Sequence, residues 1–442
     1  MAQTFTVTHR SFMAIAVPMA LAYISTPLLG LVDTAVIGQL DDPSLIGGLV
    51  LGSVIFDIVF MSFNFLRSGT TGLTAQAFGA GNKSELELVL IRSLILAIVA
   101  ASLIVLLQYP VLSVGLNLLG GSDQVQSAAA SYFSIRVLFS PLTLSNFAVL
   151  GWFLGLGMAK TGLLLQTLLN GTNIVLSALF VLHFEWGIQG VAYATALSEL
   201  ITLLVSLYFL YQRLGGIPRH PFASIFKRDD FLALLALNRD IMIRSFTLLG
   251  AFAFFTARSA DQGDIVLAAN AILEKFFLIA GYFLDGTATA AEQLVGRAIG
   301  ARYRPAFKRS VNLSLLWGSL IALFLTVIFF LFGTHIVAVM STHEEVRSAA
   351  SQYLWWAALT PIAGTLAFQM DGIFIGATWS RDMRNMMLVS LALFLGLYYV
   401  FFPIMGNDGL WFALLVFLML RGLTLTYRLR LRERQFFTAQ HA

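Results

Sequence analysis

Long apolar runs follow one another along the whole chain, separated by short polar stretches, and this alternation sets the first expectation. A bilayer-spanning helix needs about 20 mostly apolar residues. By that measure twelve spans are predicted, at 11–38, 45–66, 88–108, 129–155, 162–183, 187–212, 241–258, 264–284, 311–333, 346–377, 385–403 and 408–429. The predicted class is all-α and integral to a membrane, with function inside the helix bundle and no stretch left for a separate soluble domain. Within the first run, GLVDTAVIG at 30–38 sets Asp33 among residues that suit hydrocarbon. A carboxylate at mid-membrane costs ~2.5–3.5 kcal/mol on insertion scales, so its presence asks for a function.

Composition sharpens the class. Of 442 residues, 58% are hydrophobic and only 11% charged, and the mean hydropathy is +0.83. These values exclude a soluble domain of ordinary composition. The absence of cysteine excludes disulfides, thiolate metal sites and a cysteine nucleophile. A pI near 9.3 would suit nucleic acid, but the basic residues follow the membrane instead. With a cytoplasmic N-terminus, the inside segments hold Arg10, Arg67, Lys83, Arg92, Lys160, Arg213, Arg219, Lys227, Arg228, Arg239, Arg297, Arg302, Arg304, Lys308, Arg309, Arg381, Arg384 and the arginines from Arg428 to Arg434. The outside loops hold Arg258 and Arg347 against Asp41, Asp42, Asp123, Glu185, Asp261, Asp264, Glu344, Glu345 and Asp408. This asymmetry predicts both termini in the cytoplasm of a plasma-membrane protein and no nucleic-acid partner. Ala20-Leu21-Ala22 imitates a signal-peptide cleavage site, but the apolar run continues to Ile37, which favours a retained first span.

The chain also resembles itself. FLRSGTTGLTAQAFG at 65–79 aligns with FLDGTATAAEQLVG at 283–296, so that Phe65, Leu66, Gln76 and Gly79 meet Phe283, Leu284, Gln293 and Gly296. Ser140-Pro141 and GWFLG at 151–155 correspond to Thr360-Pro361 and GIFIG at 372–376, and GIQG at 187–190 to GNDG at 406–409. Six spans per half, an even number, predict parallel repeats related by a pseudo-twofold axis along the membrane normal, an arrangement typical of secondary transporters. The expected parts are an N-lobe at 1–214, a polar cytoplasmic linker at 215–238 and a C-lobe at 239–442.

Polar residues inside spans are the functional candidates. Asp33 shares a helix face with Gly30 and Thr26, and Pro18 and Pro27 interrupt the same run, so small residues would allow close helix approach and the prolines a hinge. Asn170, Asn173 and Ser177, at i, i+3 and i+7, form one polar face of the fifth span, and Thr195 and Glu199 one face of the sixth. These groups serve either as interhelical glue or as hydrogen-bonding partners of Asp33. Glu199 is a candidate proton relay. In the second half Glu274, Lys275 and Asp371 are a possible second relay or substrate site, with Lys275 paired to Asp371 or Glu274 as the purely structural alternative. Asp57 and Arg136 are a possible buried pair in the first half.

Enzyme signatures fail. GLGMAKT at 155–161 has Ala159 where a phosphate loop needs glycine, and HEE at 343–345 lacks the second histidine of a zinc site. His9, His183, His220, His335, His343 and His441 fall in loops, tails or span ends, so neither a hydrolase nor a transferase is expected, and no metal or cofactor beyond a coupling cation.

LLGLVDTAVIGQLDDPSLIGG at 28–48, FLRSGTTGLTAQAFGAGN at 65–82, LNRDIMIRS at 237–245 and DGIFIGAT followed by RDMRN at 371–385 resemble the multidrug and toxic compound extrusion (MATE) family, and within it the DNA-damage-inducible F branch. The resemblance implies two six-helix lobes around a central cavity, and export of amphipathic, often cationic compounds in exchange for protons or sodium. It matches the family's first-span aspartate to Asp33, its kink proline to Pro18, its asparagine and threonine to Asn173 and Thr195, and its tenth-span acid to Asp371. Where many members place a second fifth-span aspartate, this chain has Ser177. Losing a carboxylate weakens a sodium site, so the expected coupling ion is a proton, carried by Asp33. A carboxyl in an apolar, partly desolvated site can exchange a proton near physiological pH. Each charge moving down the potential supplies ~2.3 kcal/mol per 100 mV. The expected form is a monomer among membrane lipids. The competing readings are a lipid or lipid-linked precursor flippase, a sodium-coupled drug antiporter and a passive channel.

Overall fold

The computed structural model describes residues 4–40 and 42–438; Asp41 and His441 lie outside them. Sixteen helices follow in order: α1 (His9–Ile37), α2 (Pro43–Met61), α3 (Phe65–Gly79), α4 (Lys83–Leu106), α5 (Gln108–Leu119), α6 (Asp123–Leu138), α7 (Ser140–Gly155), α8 (Ala159–Ala178, closed by a π-turn at Leu179–His183), α9 (Gly187–Leu214), α10 (Phe222–Ile225), α11 (Arg228–Ala260), α12 (Asp264–Gly300), α13 (Arg304–Met340), α14 (Glu344–Gly376), α15 (Ser380–Met405) and α16 (Asn407–Thr438). Helices are the expected outcome because hydrocarbon offers backbone groups no outside partner. Among the described residues eleven are long and apolar enough to cross a membrane, and the bent pair α6 and α7 makes a twelfth.

That pair bends by 54°, and Pro141 opens α7 just after the break. Its counterpart Pro361 lies inside the unbroken α14. Several helices outrun the apolar signal. α12 continues through Gly286-Thr287-Ala288-Thr289, where the threonine hydroxyls donate to carbonyls of their own helix, Leu284 and Asp285, both at 2.8 Å. Caps fix other starts: the amide of Ser44 donates to Asp42 at 2.9 Å, and that of Glu85 to Asn82 at 3.0 Å.

The duplication is visible as one repeated helix crossing. A Cβ added at Gly151 or Gly155 would come within 2.3 Å of the Arg67 carbonyl oxygen or 2.7 Å of that of Thr71; at Gly372 or Gly376, within 2.2 Å of those of Ala288 or Glu292. The second set lies 221 positions after the first throughout. Each half therefore uses a Gly-x-x-x-Gly face to bring two backbones together. This register differs by about one helical turn from the alignment of Phe65 with Phe283, because glycines fixed by backbone contact constrain the crossing more tightly than the aromatic and glutamine matches do.

The chain forms two compact units, one of Leu21–Phe78 and Asn82–Leu235, the other of Ala236–Ala442 with Gly79–Gly81 and the stretch up to Ala20. These boundaries differ from the expected lobes at 1–214 and 239–442 in two places. The first half of α1 belongs with the later helices, since Gly286 lets α12 approach it: a Cβ there would meet the Ala16 carbonyl oxygen at 2.7 Å. His9 also accepts from the Trp317 indole at 3.2 Å. The expected linker at 215–238 belongs to the earlier unit as far as Leu235 and is largely helical, in α10 and the start of α11. Arg92 holds it there. Its guanidinium donates to the carbonyls of Ser224 (2.8 Å) and Ile225 (3.0 Å) and to Asp230 (2.8 Å) and Glu85 (2.9 Å).

Candidate functional site

In the first unit Asp33 (α1), Asn170, Asn173 and Ser177 (α8) and Thr195 (α9) are all buried. Residues 170, 173 and 177 share a face of α8 because the helix repeats every 3.6 residues, and that face meets α1 and α9. The Ser177 hydroxyl donates to Asp33 Oδ1 at 2.8 Å and is also 3.3 Å from Asn173 Oδ1. Asn173 Nδ2 donates to the Thr195 hydroxyl at 2.8 Å, which in turn donates to the Val191 carbonyl at 3.0 Å. Asn170 donates to Ser25 on α1 at 2.8 Å and accepts from Gln166 at 3.1 Å. The one carboxyl in this chain of hydrogen bonds is Asp33, and it is met by a neutral hydroxyl.

α1 runs unbroken from His9 to Ile37 through both Pro18 and Pro27. The small-residue contact expected at Gly30 is not made: Gly30 is exposed, and a Cβ there would meet nothing within 4 Å. The face of α1 that packs is the Asp33 face, where Val32, Val36 and Ile37 join an apolar cluster beside the polar contacts of Asp33 and Ser25.

A second polar cluster lies in the same unit. Arg136 (α6) and Glu199 (α9) form an ion pair at 3.2 Å, both side chains 6% exposed. Thr143 donates to the other Glu199 oxygen at 2.8 Å, and Asn146 to the Glu199 carbonyl at 2.9 Å. The guanidinium stacks 4.2 Å from the Phe56 ring centroid. The suggested Asp57–Arg136 pair is thus corrected: Glu199 is the partner, and Asp57 is exposed on α2. Glu199, the candidate relay, is thus ion-paired to Arg136 through one of its two carboxylate oxygens.

In the other unit Asp371 (α14) takes two partners, Arg244 (α11) and Arg421 (α16), the latter at 2.9 Å. Neither Lys275–Asp371 nor Lys275–Glu274 pairing occurs among the described residues. Glu274 is partly buried, with the Thr256 hydroxyl 3.5 Å away, and Lys275 is exposed, because adjacent residues on a helix point about 100° apart. Arg244 and Arg421 were absent from the sequence candidates; two arginines inside apolar runs are the signal that points to them, since each must find a partner. At one end of this unit Asp240 binds Arg384 at 2.7 Å and Asp382 binds Arg428 and Arg432.

Duplicated helical halves, a multi-pass membrane topology and a buried carboxyl in a polar network define a secondary-transporter architecture. Comparison with known proteins agrees. The MatE family model matches residues 18–179 and again 241–400, once per half. DNA damage-inducible protein F of Escherichia coli K12 is 39% identical over 96% of this chain and 93% of its own length. A probable multidrug resistance protein NorM of Bacillus cereus is 23% identical over 97% of both chains. A crystal structure of MATE in the bent conformation superposes with a TM-score of 0.89 at 20% identity, covering 98% of this chain and 97% of that one. The chain belongs to the MatE family of membrane transporters, and it is not an enzyme.

Proposed function

We propose that this protein is a secondary active exporter of amphipathic, often cationic organic compounds in the plasma membrane, driven by proton antiport through Asp33. The observation that carries the reading is the Asp33 environment: one buried carboxyl, bonded to the Ser177 hydroxyl at 2.8 Å, at the end of a network through Asn173 and Thr195 that has no other charge. Such a site answers to a proton. Ionised Asp33 draws on the Ser177 hydrogen bond for its charge; protonated Asp33 no longer needs it and can release α8 from α1. Proton uptake on the outer side would thereby be tied to a change at the α1–α8 contact, with Pro18 and Pro27 giving α1 places to flex. Sodium would find the oxygens of Asp33, Ser177, Asn173 and Thr195 but a single negative charge, which favours the proton.

The test is ethidium-type dye transport by purified protein in sealed liposomes, under an imposed pH gradient and, separately, an imposed sodium gradient. Transport driven by the pH gradient and abolished in Asp33→Asn is expected. Proton-driven transport at the wild-type rate in Asp33→Asn, or transport driven by sodium alone, overturns the assignment.

A further inference from the structure

Arg421 is 3% exposed, yet among the described residues it gives a single N–H to an acceptor, Oδ2 of Asp371. Among the described residues its Nε and Nη1 are buried without a hydrogen-bond partner, and so is Nε of Arg244, whose Nη2 shares the same carboxylate oxygen. A guanidinium has five N–H donors and no acceptor, and each donor taken from water without replacement is costly. The contrast with Arg92 is instructive. Equally buried, it donates to four acceptors and needs nothing more. Around Arg244 and Arg421 the acids are Asp371, already engaged by one oxygen to both, and Asp285, whose charge reaches Arg421. A second oxyanion presented to the guanidinium forks would meet the unused donors.

What surrounds the arginines describes the rest of the ligand. Phe252 (α11), Phe277 (α12) and Phe368 (α14) form a run of rings, 5.0 and 5.9 Å apart between centroids. Phe252 lies two turns after Arg244, whereas Phe277 and Phe368 precede Asp285 and Asp371 on helices that run the opposite way through the membrane. All three rings therefore sit on the same side of the charged cluster. Gly281 and Gly364 let the Phe368 ring lie close to both helices: a Cβ at either would stand 3.4 or 3.5 Å from that ring. We infer that the unit containing α11 to α16 carries a site for an amphipathic organic anion, its carboxylate, sulfonate or phosphate head on Arg244 and Arg421 and its apolar body along the three phenylalanines. The site is separate from Asp33 and does not rest on proton coupling.

The experiment is equilibrium binding, without any gradient, to the full-length protein in phosphatidylcholine nanodiscs. The probes are dansyl-undecanoic acid and its uncharged amide, read by fluorescence anisotropy. The acid should bind about tenfold or more tightly than the amide, the size of a charge-assisted hydrogen bond to a buried arginine. Arg421→Gln should bring that preference close to unity with dye transport under a pH gradient left to report on Asp33. Asp371→Asn, which removes the competing carboxylate, should raise it. If Arg421→Gln does not fold, Arg421→Lys keeps the charge without the fork and should lose most of the preference. Adding phosphatidylglycerol to the discs separates two sources of the same chemistry: suppression of acid binding identifies a lipid head as occupant, and unchanged binding a free amphiphile. Equal affinity for acid and amide in wild type, or a preference that survives Arg421→Gln in a folded protein, overturns the site.

Discussion

Glu199→Gln is the perturbation that best separates a structural ion pair from a proton relay. The substitution keeps shape and leaves an amide oxygen for the Thr143 hydroxyl, but it removes the only acid paired with Arg136 among the described residues. Breaking a buried pair on one side costs about 3–5 kcal/mol, because the remaining charge stays out of water. The lower end applies here, since the charge of Arg136 is also felt at Asp33 and Asp57. Removing both charges in Arg136→Gln/Glu199→Gln should return about half of the loss or more, as two amides can bond to each other without a buried charge. The assay is thermal unfolding of the purified single and double variants by tryptophan fluorescence, followed by dye transport in liposomes under a pH gradient. The expected order of stability is wild type, then the double variant, then Glu199→Gln. A single variant as stable as wild type would refute the ion-pair reasoning, and a well-folded double variant that no longer transports would restore Glu199 as a relay.

Gly372→Ala places a Cβ 2.2 Å from the Ala288 carbonyl oxygen, where a carbon needs about 3.3 Å, so α14 and α12 must part by about 1 Å at a cost of about 1–3 kcal/mol. Gly151→Ala should behave alike over Arg67, while Gly171→Ala, with nothing within 4 Å, should be neutral or up to about 1 kcal/mol stabilising; equal melting temperatures for all three would count against the shared crossing. Arg92→Ala should release the segment around α10, giving about tenfold faster tryptic cleavage near Arg219 and Lys227, and an unchanged rate would mean that other contacts hold it. The Ser44 hydroxyl, with its backbone amide, holds the Asp42 carboxyl below the usual carboxylate range. Its folded value being depressed, the cap contributes fully above the ordinary aspartate value and is lost as pH falls through the lowered one. Amide exchange in the first turn of α2 should therefore quicken in acid, and Asp42→Asn should flatten that dependence.

The helices were legible because a membrane imposes one period and one length on every span, and the duplication because glycines at helix crossings cannot drift. What the hydropathy pattern missed is helix that continues beyond the apolar run, as α12 does past Leu284 to Gly300 on alanine and self-bonded threonine. The Asn170, Asn173 and Ser177 face was legible for the same local reason, a spacing within one helix. Even there, which residue touches which depends on α1 and α9, more than 20 residues away in sequence at the nearest: Asn173 meets Thr195, Ser177 meets Asp33 and Asn170 meets Ser25.

Charge pairing shows the limit most sharply. Lys275 stands beside Glu274 in sequence and is an obvious partner for an intramembrane acid, yet Asp371 is bound by Arg244, 127 positions before it, and Arg421, 50 after. Neither spacing carries a signal in one sequence, because the contact is set by which faces of α11, α14 and α16 turn together. A charge count over the spans does carry one. Arg136, Arg244 and Arg421 all lie in apolar runs, and each had to find a partner or a ligand there. Arg136 found Glu199, Thr143 supporting the acid and Phe56 beneath the guanidinium. Arg244 and Arg421 found one carboxylate between them among the described residues, and the donors left over after Asp371 are those that the inferred anion site uses.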